Sequence, residues 1–277
     1  LFDAVGHAFS TVAIGGFSTH DSSLAFWDNP TVEAVAVVFM IISGMNFALH
    51  FTAWRHASAQ PYFMDPELKV YAALLAVFSV LISMILFFAG TFDSLAASFR
   101  YGAFQAVSAM TTTGFTTASF HAWGGAIPVI LMMLAFIGGC AGSTAGGLKV
   151  IRVILLYRQS IREIRRLVHP HAVLPIKVGG QKMSDTVLSA VWGFFFLYIT
   201  SFAVMTVLLT ATGLDAETAY SAVGACITNL GPALGLAGPH YADLGDSAKI
   251  VLCVAMLLGR LEIYTLLVLL TPAFWRG

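Results

Sequence analysis

Several long stretches of this chain carry no charged side chain, among them Ala34 to Trp54, Val70 to Phe92, Tyr101 to Leu148 and Thr186 to Leu214. About 20 apolar residues suffice for a helix to cross the hydrocarbon core of a bilayer. A backbone in that solvent must satisfy its own peptide groups, so the chain is confined to helices or a closed barrel. Runs of this length favour helices. Composition agrees: 58% of the 277 residues are hydrophobic and 10% are charged, against roughly 25% charged in ordinary soluble domains. A soluble enzyme, a disordered chain and a nucleic-acid-binding protein are excluded as readings. Five spanning regions are expected, near 33–56, 68–90, 125–168 (broken and overlong), 185–211 and 247–273. The three cysteines, Cys140, Cys226 and Cys253, lie far apart in apolar surroundings and read as core packing.

Net charge is zero, yet the charges are segregated. Lys149, Arg152, Arg158, Arg162, Arg165, Arg166, Lys177 and Lys182 crowd one segment, while Asp3, Asp21, Asp28, Glu33, Asp93, Asp215, Glu217, Asp243 and Asp246 fall on the opposite side if helices alternate. The positive-inside rule places 149–182 in the cytoplasm. That segment is either a topology signal alone or also a docking surface for a soluble partner or anionic lipid.

A unit repeats along the chain. A short apolar helix of ten to thirteen residues ends in a Gly-containing turn, followed by a polar stretch and a long apolar helix. The turns are Ala13, Ile14, Gly15 and Gly16; Thr111, Thr112, Thr113 and Gly114; and Thr228, Asn229, Leu230 and Gly231. Helices this short cannot span, so each turn is expected at membrane depth, where irregular backbone must be buried or line a water-filled path. Turn carbonyls can replace a cation's hydration shell. Glycine permits the positive φ that such a carbonyl run requires, and the helix C-termini aim partial negative charge at the path. These atoms are the expected cation ligands, and the acidic residues outside raise the cation concentration at the mouth. Three turns do not close a four-fold ring, so a fourth copy is expected upstream of Leu1. The repeats divide the chain into 1–57, 58–182 and 183–277, the first without its preceding helix.

Two further features suggest a gate. Gly138, Gly139, Gly142, Ser143, Thr144, Gly146 and Gly147 interrupt an apolar span, and five glycines cost about 5 kcal/mol of helix preference. The span should break there, either as a kink for close packing or as a loop lying under the turns. Arg260 and Glu262 fall within the last span, where charge is costly and marks a path or a partner. Glu262 is the one carboxylate expected deep in a span, with Lys149 or a polar neighbour to satisfy it. The eight histidines show no i, i+4 pair for metal or haem, and His20 and Asp21 are expected in the outer vestibule. No nucleophile, paired catalytic carboxylates or nucleotide-binding Gly-rich loop appears, so the chain is not read as an enzyme.

Five stretches together carry a family resemblance: Ile14 to Asp21, Met110 to Thr117, Gly138 to Lys149, Thr228 to Pro232 and Leu258 to Glu262. With them the chain resembles the Trk/Ktr/HKT superfamily of potassium transporters over its whole length, as the second to fourth of that family's four repeats. The resemblance implies an all-α membrane protein with repeated helix–pore-loop–helix units and broken transmembrane helices. It also implies potassium uptake across the bacterial inner membrane with K⁺ as the transported ion, a homodimer with one pore per protomer, and a TrkA-like cytosolic nucleotide-binding subunit. In that family the stretch matching 138–147 is an intramembrane loop, and an arginine stands at the position of Arg260. No nucleic acid is expected as a partner; membrane lipid is. Alternatives from the residues are a symporter coupling K⁺ to H⁺ or Na⁺, and a membrane-embedded redox or structural subunit.

Overall fold

A computed structural model of the chain describes residues 1–269 and 271–276. Leu270 and Gly277, which belong to the last expected repeat, lie outside the described residues. The helices are α1 (Phe2–Val12), α2 (Pro30–Ser43), α3 (Phe47–Arg55), α4 (Gln60–Met64), α5 (Pro66–Phe88), α6 (Leu95–Met110), α7 (Ile127–Ile137), α8 (Val150–Val168), α9 (Asp185–Thr210), α10 (Ala216–Thr228), α11 (Asp246–Arg260), α12 (Glu262–Leu269) and α13 (Pro272–Trp275). One element departs from an all-helical reading. Residues 177–182 form a small antiparallel hairpin, with Lys177 paired to Lys182 and the tight turn supplied by Gly179 and Gly180, both at positive φ.

Helix starts follow from local chemistry. Asn29, Asp65, Ser94, Ser184 and Asp215 each accept a first-turn backbone N–H with the side chain, the N-cap role those residue types favour. Two helices, α5 and α9, are long and apolar enough to cross a membrane alone. The expected single spans at 33–56 and 247–273 are corrected: α2 and α3 meet at 89°, and α11 and α12 at 113°. Arg260 and Glu262 therefore flank a break instead of sitting within one helix. The expected break after α7 is present.

The breaks have identifiable causes. At the first, a Cβ on Gly44 would lie 2.3 Å from the Tyr71 hydroxyl, and Asn46 caps α3 by accepting from Ala48 N. His50 Nε2 lies 3.0 Å from Ile42 O, freed by the end of α2. At the break between α7 and α8, Gly138, Gly142, Gly147 and Lys149 all have positive φ, which no α-helix accommodates.

Packing is densest where pore-type helices meet spans. Helix α6 lies against α5, with Gly102 close to Ser83 and Leu86. Helix α10 is buried from Thr218 to Thr228 except at the half-buried Tyr220. Cys140 and Cys226 are buried as expected, but Cys253 is exposed on α11. Exposed apolar residues such as Val77, Phe88, Phe196 and Val207 cover the outward faces of α5 and α9, the surface that lipid would cover.

One buried ion pair ties two repeats together. Arg100 of α6 donates to both carboxylate oxygens of Glu33 of α2, at 2.8 and 2.7 Å, and to Asp28 at 2.7 Å. The Glu33 side chain is only 4% exposed. Two of the acids expected to charge the outer mouth are thus neutralised by Arg100. Removing one partner of a buried pair leaves a charge without compensation, at about 3–5 kcal/mol. Arg100→Gln is expected to lower the Tm of the purified protein in detergent, whereas Lys249→Gln, whose partner is the exposed Ala242 carbonyl, leaves it nearly unchanged.

Candidate ion pathway and gate

The three expected turns adopt one conformation. The second residue of each, Ile14, Thr112 and Asn229, is left-handed at φ 52, 59 and 59°, and the closing Gly16, Gly114 and Gly231 have φ 67, 81 and 96°. The hydrogen bonds repeat as well. Ile14 N, Thr112 N and Asn229 N donate to Thr11 O, Ala109 O and Cys226 O, and the next amides, on Gly15, Thr113 and Leu230, donate to Ser10 O, Ser108 O and Ala225 O. Amides are thus spent on the helix ends, and these bonds do not engage the turn carbonyls.

The turns abut in order. A Cβ on Gly16 would fall 2.0 Å from Thr113 O, and one on Gly114 would fall 2.0 Å from Leu230 O. Gly231 has nothing within 4 Å on that side. Gly16 and Gly114 therefore admit the carbonyl of the next turn, and a side chain at either would push the turns apart. Braces stand behind them. Ser108 Oγ donates to Phe115 O at 2.7 Å, the Thr111 and Thr113 hydroxyls lie 2.7 Å apart, and Tyr241 donates to Gly231 O at 2.6 Å. Thr111, Thr112, Thr113 and Thr228 are buried, as are Ile14 and Leu230.

The Gly-rich stretch forms a loop against the inner ends of these turns. Gly146 N donates to Thr112 Oγ1 at 2.6 Å, and a Cβ on Gly146 would meet Thr228 O at 2.0 Å. Thr144 Oγ1 donates to Val12 O at 3.1 Å. One loop thus touches all three repeats. It also completes the break between α2 and α3: Cys140 N donates to Gly44 O at 2.9 Å, and Phe47 N to Gly142 O at 3.0 Å.

Charged side chains hold the loop. Arg260 Nη1 donates to Thr144 O at 3.1 Å. Lys149 Nζ bonds Ser143 O and Ala145 O, so it belongs to the loop and not to the cytoplasmic cluster. Below lies a cavity of about 260 Å³ whose polar lining includes Thr144, Lys149, Arg152, Arg260 and Glu262. Glu262 is half-exposed and pairs with Arg152 at 2.6 Å, not with Lys149. It is not the one deep carboxylate expected.

That description fits Glu67, which the sequence reading missed. Glu67 is 6% exposed, and its Oε1 accepts from Ala141 N at 2.7 Å and from Ile151 N at 3.0 Å. It therefore clasps the loop and the first turn of α8, whose N-terminal amides favour an anion. In the sequence it looks like an ordinary first-turn acid after Asp65-Pro66. Since Asp65 already caps α5, Glu67 was redundant for capping, and that was the available signal. Outside, His20 stacks on Phe26 at 3.6 Å and lies 3.7 Å from Asp3, while Asp21 is exposed. His7, unremarked in the sequence, contacts Ser18 Oγ at 2.9 Å. Among the described residues no cluster of His, Cys, Asp and Glu could hold a metal ion.

Residues 1–276 match the family model TrkH, described as a cation transport protein. The chain is 50% identical over 275 residues to the Trk system potassium uptake protein TrkH of Halomonas elongata, covering 99% of this chain and 57% of that protein. It is 46% identical over 275 residues to the protein of the same name from Escherichia coli K12, with the same coverage. The crystal structure of the potassium transporter TrkH from Vibrio parahaemolyticus superposes with a TM-score of 0.95 at 48% identity, covering 99% of this chain and 59% of that one. The chain thus spans 57% of the length of these relatives.

Thr112→Val keeps the shape of the turn but strands Gly146 N, at about 1–3 kcal/mol. Hydrogen–deuterium exchange of the peptide spanning 139–147 is expected to accelerate, with the rest of the chain unchanged.

Proposed function

The chain belongs to the TrkH cation transport family, and on that premise we propose that it supplies most of a pore for potassium uptake across the bacterial inner membrane. Its relatives are transporters by name, and its function is transport, not enzymatic catalysis. Peptide carbonyls of Ala13 to Gly16, Thr111 to Gly114 and Thr228 to Gly231 are the K⁺ ligands. The observation that carries this reading is the ordered abutment of the turns, Gly16 against Thr113 O and Gly114 against Leu230 O. Amides are spent elsewhere, so oxygens alone are offered to a passing ion, which requires that they replace its hydration shell. The open side of Gly231 supports a fourth turn from an upstream repeat, with 1–57, 58–182 and 183–277 as the second, third and fourth units.

Residues 138–147 and Arg260 form the gate. The loop occupies the inner ends of the turns, and the Arg260 guanidinium holds it by Thr144 O while opposing cation passage below. Helix α8 continues from the loop into the basic segment, so a cytosolic TrkA-like subunit pulling on α8 would draw the loop away. A homodimer, with the nucleotide-binding subunit docked on it, is part of the same proposal.

The turns differ in side chains: Ala13 stands where the others have Thr, and Asn229-Leu230 replaces Thr112-Thr113. Unequal turns imply looser selection than four identical ones, with Rb⁺ accepted and Na⁺ partly excluded. Coupled symport requires a titratable carboxylate on the path. Glu67 is committed to two backbone amides beside the path, and Glu262 to Arg152.

In liposomes holding the full-length protein, Arg260→Ala is expected to raise ⁸⁶Rb⁺ uptake without the cytosolic subunit; folded protein with unchanged or lower uptake would refute the gate. Gly114→Ala, with a Cβ driven onto Leu230 O, is expected to abolish K⁺ and Rb⁺ uptake. The reversal potential is expected to follow the K⁺ gradient and to ignore a pH gradient. A shift with pH would instead support symport.

A further inference from the structure

Beside the proposed pathway, helix α8 carries a second feature. Arg158, Arg162 and Arg165 lie at i, i+4 and i+7, one face of a helix. They line a cavity of about 470 Å³ with Lys177, closed by apolar groups that include Tyr157 and Leu174. Arg158 is oriented by the Lys177 carbonyl. Arg162 is shared between Glu163 at 3.3 Å and Asp185 at 3.4 Å. Arg165 and the Lys177 ammonium have no side-chain partner among the described residues. The cavity therefore keeps uncompensated positive charge.

Its depth is fixed by neighbours. Asp185, which meets Arg162, is the first residue of the spanning helix α9. The hairpin that contributes Lys177 rests on the start of the other continuous span, since a Cβ at Gly179 would lie 3.3 Å from Pro66. The cavity is thus level with the ends of two spans, on the cytoplasmic side. On the same helix Ile164, Leu167 and Val168 are exposed. A basic cluster beside an exposed apolar stripe at the interface is the pattern of a surface that meets anionic lipid.

We propose that this cavity binds the phosphodiester headgroup of an anionic phospholipid of the cytoplasmic leaflet. The Arg158 and Arg165 guanidiniums and the Lys177 ammonium hold the phosphate oxygens, and the acyl chains lie toward Tyr157 and the apolar stripe. Arginine suits this task because its planar fork matches phosphate geometry. The site ties the membrane surface to the helix that continues from the gate loop.

The test is native mass spectrometry of the full-length protein in detergent with added phosphatidylglycerol or phosphatidylcholine. Wild type and Arg166→Gln, a residue outside the cavity, are expected to retain phosphatidylglycerol in preference. The double variant Arg158→Gln/Arg165→Gln is expected to lose that preference by roughly tenfold or more, from about 1 kcal/mol per cation at a membrane surface. Three results would overturn the proposal: an unchanged preference in the double variant, displacement of the lipid by inorganic phosphate, or loss only of cytosolic-subunit binding with lipid retention intact. If the double variant does not elute as folded protein, photoactivatable phosphatidylglycerol on unaltered protein decides. Labelling within 157–177 supports the site, and labelling confined to the outer faces of α5 and α9 refutes it.

Discussion

Every irregular segment of this chain answers one constraint: a peptide group away from water must find a partner. Where α2 ends at Ser43 and α7 at Ile137, the freed carbonyls and amides would each cost free energy comparable to a lost hydrogen bond. The two breaks solve this together. Gly44 O takes Cys140 N, and Gly142 O takes Phe47 N, so the break between α2 and α3 and the Gly-rich loop complete each other. Further loop groups are claimed by side chains: Ala141 N by Glu67, Gly146 N by Thr112, Thr144 O by Arg260, and the Ser143 and Ala145 carbonyls by Lys149.

The loop meets the turns through the Thr112 hydroxyl and a close approach to Thr228 O, and it meets α5 through the two amides that Glu67 accepts, one of its own and one from the first turn of α8. Lys149, Arg152 and Arg260 gather positive charge around the cavity beneath, and Glu262 offsets part of it by pairing with Arg152.

The turns show how glycine is used when carbonyls must converge. At Gly16 and Gly114 the requirement is twofold: a positive φ, and room for the neighbouring carbonyl where a Cβ would stand. Ile14, Thr112 and Asn229 adopt left-handed φ without being glycine, strain of the kind that persists where surrounding structure over-determines the backbone.

Spans, turns, Gly-rich break and basic cytoplasmic segment were legible in the sequence because each rests on a local property: run length, glycine spacing or charge segregation. What failed to appear there was non-local. The bends at Gly44–Asn46 and at Leu261 are hard to place from sequence, since apolar runs resume on both sides of each. Glu67 reads as a helix-start acid, and only the approach of residues 141 and 151, more than seventy positions away, turns it into the clasp of the loop. Lys149 counts as one more topology charge until the fold buries it, and Arg152 finds Glu262 across 110 residues. The sequence by itself determined that the chain crosses a bilayer and offers three oxygen-lined turns, because burial in hydrocarbon is decided residue by residue. Tertiary structure alone decided which groups satisfy one another, because hydrogen bonds and ion pairs are short-ranged and depend on which distant segments meet.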